Sequence, residues 1–279
     1  MLRTRLISAA VLVPIVVLVL LAGQPWLGLL VLVVAALAAR EVFVLLRDAG
    51  LQAEPLLGIA IALVIVGGAW LLGDRLGETW LLVALGVVIA AAGAVLRPDP
   101  KDGFAVWLGT IFGALYVGLL AFLLLIAGNT GALPAGAPLA PWLDGGRAWL
   151  VVGVLAVWAY DSGAYLAGRT WGRHPFMAHI SPRKTWEGVA GGIALAVAAS
   201  LVTLWLAGAW VPGALLLGPL VGAAAQVGDL AESMLKRAAG AKDSGQLIPG
   251  HGGMLDRIDS ILFAAPVVYF YLVLVGSAS

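Results

Sequence analysis

The chain has 279 residues, of which 62% are apolar and only 11% are charged. That composition leaves too little polar surface for a soluble domain, and the mean hydropathy of +1.04 agrees. The net charge of +1 gives no indication of a nucleic-acid partner, and the absence of cysteine excludes disulfides and thiol chemistry.

Apolar runs of about 18–22 residues recur along the chain, and each can cross a hydrocarbon core of roughly 30 Å as a helix. We predict an all-α, polytopic integral membrane protein with about nine transmembrane helices. The first run follows two arginines, as in a secretory signal, but it is long and lacks a clear cleavage site, so we expect a retained helix. The predicted spans cover about 6–23, 25–46, 55–73, 79–96, 104–127, 148–168, 188–208, 213–233 and 256–275.

We divide the chain into three segments by this pattern. Residues 1–127 are predicted to be N-terminal membrane helices that act as scaffold and subunit interface, 128–147 an outer loop, and 148–279 a catalytic membrane domain. Arg40 and Glu41, near the end of the second span, are interpreted as a structural ion pair. Glycines in spans five and seven permit close helix approach, and ordinary packing explains them as well as a dimer seam does. These glycines are Gly109, Gly113, Gly118, Gly188, Gly191 and Gly192.

Basic residues predict the orientation in the membrane. With the N-terminus in the cytoplasm, 14 of the 16 Lys and Arg residues fall on the cytoplasmic side, and only Arg75 and Arg147 on the other. This arrangement also places every polar motif on the cytoplasmic side, where nucleotides are. The short loop after the first span could instead be re-entrant.

A polar segment, Ser233 to Ser260, interrupts this hydrophobic chain. Charges are costly near a bilayer, so their concentration here indicates a functional site. Paired carboxylates suit Mg²⁺, lysine and arginine suit phosphate, and glycines beside a histidine allow backbone to approach a ligand closely. The charged and titratable residues are Lys236, Arg237, Lys242, Asp243, His251, Asp256, Arg257 and Asp259.

Helical spacing groups some of these residues. Asp229, Ser233 and Lys236 lie at i, i+4 and i+7 on one face of the eighth span, and Asp256 shares a face with Asp259. We predict Asp229 and Asp256 as an Mg²⁺-binding pair, with a second cation as an open alternative and Asp259 as a third ligand or base. Two structural alternatives are an Asp229–Lys236 ion pair and a helix-capping role for Asp256.

Two upstream groups add candidates. Asp161 and Tyr165 lie one turn apart at the end of the sixth span. Asp161 is a candidate ligand of a metal ion or of the nucleotide, and the alternative is an ion pair with Arg169 or Lys184. Trp158 and Tyr160 are interpreted as interfacial anchors.

The loop before the seventh span combines hydroxyls, two cations and a helix N-terminus, which together favour anion binding. Its spacing does not match a Walker A loop. The alternative is a Ser/Thr cap with positive-inside charge. The residues concerned are Ser181, Arg183, Lys184, Thr185 and Glu187.

These positions, taken in order, resemble the signature of phosphatidate cytidylyltransferases, also called CDP-diacylglycerol synthases. The resemblance covers roughly the C-terminal half, and Arg183 stands where lysine is more usual. It is carried by the patterns Asp161-x-x-Ala-Tyr-x-x-Gly, Ser181-Pro-Arg-Lys-Thr-x-Glu-Gly, Ser233-x-x-Lys-Arg, Lys242-Asp243 and Pro249-x-His-Gly-Gly-x-x-Asp-Arg-x-Asp.

The resemblance implies a reaction and its participants. A Mg²⁺-dependent enzyme of this kind transfers CMP from CTP to phosphatidic acid, giving CDP-diacylglycerol and pyrophosphate for phospholipid biosynthesis. We expect a homodimer in the bacterial cytoplasmic (inner) membrane, in contact with membrane lipids, with its site facing the cytoplasm. A polyprenol kinase and a CDP-ether-lipid synthase are the alternatives. An ion-coupled transporter is disfavoured because no internal repeat is apparent and the charges cluster at one face.

The expected roles follow from the same match. The catalytic group is Asp229, Lys236, His251, Asp256 and Asp259. The substrate- and nucleotide-binding group is Asp161, Tyr165, Ser181, Lys184, Thr185, Glu187, Ser233, Arg237, Lys242, Asp243, Gly252, Gly253 and Arg257.

Overall fold

The computed structural model describes residues 2–73, 75–209 and 213–276, and in these ranges every long regular element is a helix. The side chains of residues 2–7, which include the predicted cytoplasmic cations Arg3 and Arg5, lie outside the described part. The helices are α1 (Leu2–Ala22), α2 (Trp26–Asp48), α3 (Pro55–Leu72), α4 (Leu76–Val95), α5 (Pro100–Gly118), α6 (Ala121–Ala127), α7 (Gly145–Trp171), α8 (Trp186–Leu206), α9 (Ala214–Ala238) and α10 (Leu255–Gly276).

The predicted membrane architecture is confirmed. Within the described ranges, eight helical segments are long and apolar enough to cross a membrane, and a shorter apolar helix covers Ala10–Ala22. Large apolar side chains such as Leu56, Val95 and Leu96 lie more than four-fifths exposed, at 85%, 81% and 84%. Such surface suits contact with lipid, because a soluble monomer rarely leaves so much of it uncovered.

Among the differences between the helices and the predicted spans, three concern α5, α6 and α9. The fifth span contains a break, because α5 ends at Gly118 and α6 begins at Ala121. Helix α5 begins at Pro100, whose missing N–H suits a first turn, and the Asp99 side chain accepts the Lys101 N–H at 2.8 Å. Helix α9 continues to Ala238, since its backbone hydrogen bonds persist where the hydropathy pattern stops.

The described helices belong to two compact units. One comprises Met1–Leu125 with Met234–Ile258, and in it α3 packs against α2, α4 and α5. The other comprises Ile126–Ser233 with Asp259–Ser279, and in it α7 packs against α8. The loop at 239–254 therefore belongs with the N-terminal helices, a grouping that differs from the three predicted segments.

Glycines bring helices into close contact within each unit. A Cβ on Gly192 of α8 would lie 2.7 Å from the Tyr160 ring of α7, and one on Gly113 of α5 would lie 2.6 Å from Phe43 of α2. Gly191 likewise faces α7. These small residues are used for packing inside the chain, so they need no dimer seam to explain them. The homodimer stays a prediction.

Candidate functional site

In the first unit, a buried ion pair joins the end of α9 to the start of α10. Lys236 Nζ lies 2.7 Å from Asp256 Oδ1, and the two side chains are only 11% and 7% exposed. Removal from water strengthens such a pair and also makes the loss of either partner costly. The structure therefore gives Lys236 a partner other than the predicted alternative, Asp229.

The second oxygen of Asp256 holds the loop that precedes its helix. Asp256 Oδ2 accepts the Ser244 N–H, the Ser244 hydroxyl and the Gly253 N–H, each at 2.8 Å. The Gly253 contact satisfies a backbone donor at the start of α10, where no intrahelical acceptor exists. Asp256 thus has the capping role that was the alternative to metal binding, and four donors surround its carboxylate.

Glu41 of α2 is a site residue that sequence reasoning missed. Its carboxylate accepts the N–H groups of Met254 and Leu255 at 2.9 and 2.8 Å, and lies 3.0 Å from the Ser244 hydroxyl. That hydroxyl has one proton, so it donates to Glu41 or to Asp256 at any moment. The predicted Arg40–Glu41 ion pair is wrong, because the 239–254 loop takes the glutamate. A carboxylate inside an apolar helix was the available signal.

His251 occupies a tight turn of the same loop. The Ile248 N–H donates to Gly252 O and the His251 N–H to Ile248 O, both at 2.9 Å. Gly250 and Gly252 have φ of 77° and 85°, which favours glycine. A Cβ on Gly252 would lie 2.6 Å from Asp256 Oδ2, so this glycine lets the turn close on the carboxylate. Among described residues, His251 Nδ1 is buried with no hydrogen-bond partner, which leaves it available to a ligand.

The remaining predicted residues in the 239–254 loop and on the helix ends beside it differ in their contacts. Arg237 Nη1 donates to the Ala241 carbonyl at 3.0 Å. Lys242, Asp243 and Arg257 are exposed, and their side chains make no hydrogen bond or ion pair in the described part of the chain. They are therefore accessible to a soluble substrate.

In the second unit, Lys184 and Asp229 form another ion pair. Lys184 Nζ lies 2.8 Å from Asp229 Oδ2, with the side chains 18% and 36% exposed. The Ser233 hydroxyl donates to Asp229 Oδ1 at 3.3 Å, as their helical spacing predicted. A carboxylate has about four acceptor positions, so Asp229 retains capacity for another ligand.

Asp161 belongs to the same electrostatic environment. It lies within electrostatic range of Asp259, Asp229 and Lys184. The structure thus brings three predicted carboxylates into one region of this unit. Within the described ranges, however, no group of three or more His, Asp or Glu side chains has a metal-binding arrangement. Asp229 and Asp256 belong to different units, so their pairing stays a prediction.

The loop before α8 is held by its own polar residues. Thr185 caps α8, since its hydroxyl accepts the Gly188 N–H at 3.2 Å. Glu187 accepts the N–H groups of Arg173 and His174 at 3.2 and 3.3 Å, and lies 2.5 Å from His174 Nδ1. The predicted capping alternative is therefore confirmed for Thr185, and Lys184 is the residue that extends from this loop to a carboxylate.

The two tyrosines of α7 have different environments. Tyr165 is exposed, and its hydroxyl accepts a hydrogen bond from Arg169 Nη1 at 2.8 Å. Tyr160 is buried, and its hydroxyl donates to Gln226 Oε1 at 2.8 Å. The prediction of Tyr160 as an interfacial anchor is wrong, because glycines on neighbouring helices leave room for its ring inside the unit.

Comparisons with known proteins agree with the motif pattern. The profile of the Cytidylyltransferase family matches residues 3–275. Relatives named phosphatidate cytidylyltransferase include one from Synechocystis sp., 48% identical over 130 residues, which are 45% of this chain and 44% of the relative. One from Mycobacterium bovis is 32% identical over 275 residues (89% and 80%), and one from Brucella suis 37% identical over 214 residues (75% and 71%). The match thus spans under half of the first relative and most of the other two. The chain belongs to the cytidylyltransferase family.

Proposed function

We propose that this protein transfers CMP from CTP to phosphatidic acid, giving CDP-diacylglycerol and pyrophosphate. The match to relatives named phosphatidate cytidylyltransferase carries this proposal. The lysine–carboxylate pairs at the motif positions support it, because they are the groups a phosphoryl-transfer site needs. A polyprenol kinase and a CDP-ether-lipid synthase are outcomes that the assay below separates.

The proposed reaction requires electrostatic stabilisation from the protein rather than acid–base catalysis. A phosphate oxygen of phosphatidic acid attacks the α-phosphorus of CTP, the bond to the β-phosphate oxygen breaks, and pyrophosphate leaves with the electron pair. The nucleophile is already an anion, so no strong base is needed. The site must hold two polyanions together and stabilise the charge of the transition state.

Lys184 and Lys236 are proposed to contact substrate phosphates. Each ammonium is held by a carboxylate, at 2.8 Å from Asp229 and 2.7 Å from Asp256. An ammonium has three N–H donors, and one carboxylate oxygen uses one of them. The ion pairs thus fix the position of both cations. Beyond its ion pair, Lys184 Nζ makes no hydrogen bond within the described residues, so its donors can serve phosphate oxygens.

Mg²⁺ dependence is part of the proposal. Asp229 and Asp161 supply the oxygen ligands that Mg²⁺ prefers, and Asp229 has acceptor capacity left. Asp256 fits less well, because the Lys236 ammonium, two backbone N–H groups and the hydroxyl that Ser244 shares with Glu41 already surround its carboxylate, and a metal would have to displace one of them. When bound, the ion would neutralise phosphate charge.

The proposed setting is the bacterial cytoplasmic membrane, with the site on the cytoplasmic face and the protein as a homodimer. The distribution of basic residues and the location of CTP in cells support that orientation.

The test is an assay of the purified full chain with phosphatidic acid, Mg²⁺ and each of the four nucleoside triphosphates in turn. We expect CDP-diacylglycerol and pyrophosphate with CTP, little product with the others, and none when EDTA replaces Mg²⁺. Asp229→Asn should remove nearly all turnover while the protein remains folded. Parallel assays replace phosphatidic acid with a polyprenol or with an ether-linked phosphatidate. Formation of CDP with a phosphorylated polyprenol would identify a kinase, and product with the ether-linked lipid alone would identify a CDP-ether-lipid synthase.

A further inference from the structure

A cleft of about 520 Å³ in the first unit is lined by none of the predicted site residues. Its lining comes from the end of α2, the loop to α3, the start of α3, Arg97 and α5. Three arginines and an apolar wall form it, represented by Arg40, Arg47, Arg97, Phe43, Ile59 and Val106. We call it the arginine cleft.

The walls of the arginine cleft are fixed by contacts within the chain. The Gln52 side chain donates to Asp102 Oδ1 at 3.1 Å, and the Glu54 N–H donates to the buried Thr110 hydroxyl at 2.9 Å. Gly109 of α5 packs directly under the Gln52 carbonyl, where a Cβ would clash. The loop between α2 and α3 is therefore docked on α5, and the cleft is preformed.

The charges of the cleft leave one guanidinium without a partner. Arg47 bonds to its neighbour Asp48 at 2.9 and 3.0 Å, and Arg97 pairs with Glu54. Arg40 is exposed and makes no hydrogen bond or ion pair within the described part of the chain. Among the three arginines of the cleft, Arg40 is therefore the one whose guanidinium is left for an added anion.

We propose that the arginine cleft binds an anionic glycerophospholipid, with its phosphate at Arg40 and an acyl chain along the apolar wall. A guanidinium suits phosphate geometry, and the adjoining wall belongs to helices long and apolar enough to span a membrane. Exposed Leu51 lines the cleft, and exposed Leu56 follows the lining residue Pro55 in the chain. This inference is independent of the proposed reaction.

The experiment measures lipid binding to the delipidated, detergent-purified full chain by native mass spectrometry. Dioctanoyl phosphatidylglycerol is the probe, because its phosphodiester is not a substrate of the proposed transfer. Dioctanoyl phosphatidylcholine tests the need for net charge, and glycerol 3-phosphate tests the need for acyl chains. We expect phosphatidylglycerol to bind most tightly, and Arg40→Gln to weaken it about tenfold, as expected for loss of a charge-assisted bond.

Arg75→Gln is the matched control, since Arg75 is an exposed arginine of the same unit that pairs with Glu78 away from the cleft. Val44 lines the cleft, so Val44→Trp should fill it without a change of charge. This variant gives an independent result if Arg40→Gln cannot be purified. Equal losses in Arg40→Gln and Arg75→Gln would overturn the proposal, as would full binding in Val44→Trp. Equal binding of phosphatidylcholine, or complete displacement of lipid by glycerol 3-phosphate, would overturn it too.

Discussion

At the scale of single residues, Glu41 fastens the 239–254 loop to a helix some two hundred positions earlier in the chain. It accepts the N–H groups of Met254 and Leu255, which are orphan donors at the start of α10. A Cβ on Gly253 would lie 2.6 Å from Glu41 Oε1, so glycine at 253 leaves room for this carboxylate. Glu41 is thus a positioning residue for the loop that carries His251.

Glu41→Gln should loosen the 239–254 loop, because an amide has only one acceptor oxygen and its NH₂ group would face backbone donors. The expected cost is about 1.5–3 kcal/mol, the value of a hydrogen bond to a charged group. Hydrogen exchange should become faster at the Met254 and Leu255 amides. The specific activity of the enzyme should fall. Glu78→Gln, at an exposed position, is the control. Unchanged exchange at both amides would show that Glu41 does not hold the loop.

The Lys236–Asp256 pair allows a separation of structural and catalytic roles. Lys236→Gln leaves the buried Asp256 carboxylate without its cationic partner, at a cost of up to about 3–5 kcal/mol. The double variant Lys236→Gln/Asp256→Asn removes both charges, so the thermal midpoint in detergent should recover much of the loss. Activity should stay low, because the ammonium that we propose to contact substrate phosphate is still absent. If turnover returned together with stability, the pair would have only a structural role.

At the scale of elements, glycine determines how closely α7 and α8 approach. Gly191 lies against Ala167 and Gly192 against Tyr160, so added side chains would meet the facing helix directly. In the sequence, these small residues were compatible with a dimer seam. In the structure, they pack against a helix of the same chain.

Gly191→Leu should therefore lower stability by about 1–3 kcal/mol, the usual effect of overpacking a close contact. Thermal unfolding in detergent measures this change, and light scattering measures the oligomer at the same time. Gly93→Leu is the control, since a Cβ on Gly93 has nothing within 4 Å. A changed oligomer with an unchanged unfolding midpoint would favour the seam instead.

At the scale of the whole molecule, the excess of basic residues predicts which loops face the cytoplasm. Reporter fusions after Pro98, Gly172 and Lys242 should report the cytoplasm, and one near Pro138 the outer side. Pro98 is chosen because α5 has already begun at Pro100. An outer location for Gly172 would contradict the predicted topology and separate the loop before α8 from the cytoplasm.

The sequence by itself determined the helical spans, because a backbone in lipid must satisfy its hydrogen bonds internally and apolar length then reveals each helix. It also determined the neighbours within one helix, such as Asp229 and Ser233, because helical periodicity is local.

Only the tertiary structure decided the partners between helices. Lys236 pairs with Asp256, Lys184 with Asp229, and Glu41 with the N–H groups at the start of α10. Spacing carries no information about such contacts, since they depend on which faces of distant helices pack together. The burial of Tyr160 could not be predicted for the same reason, because glycines on other helices make room for its ring.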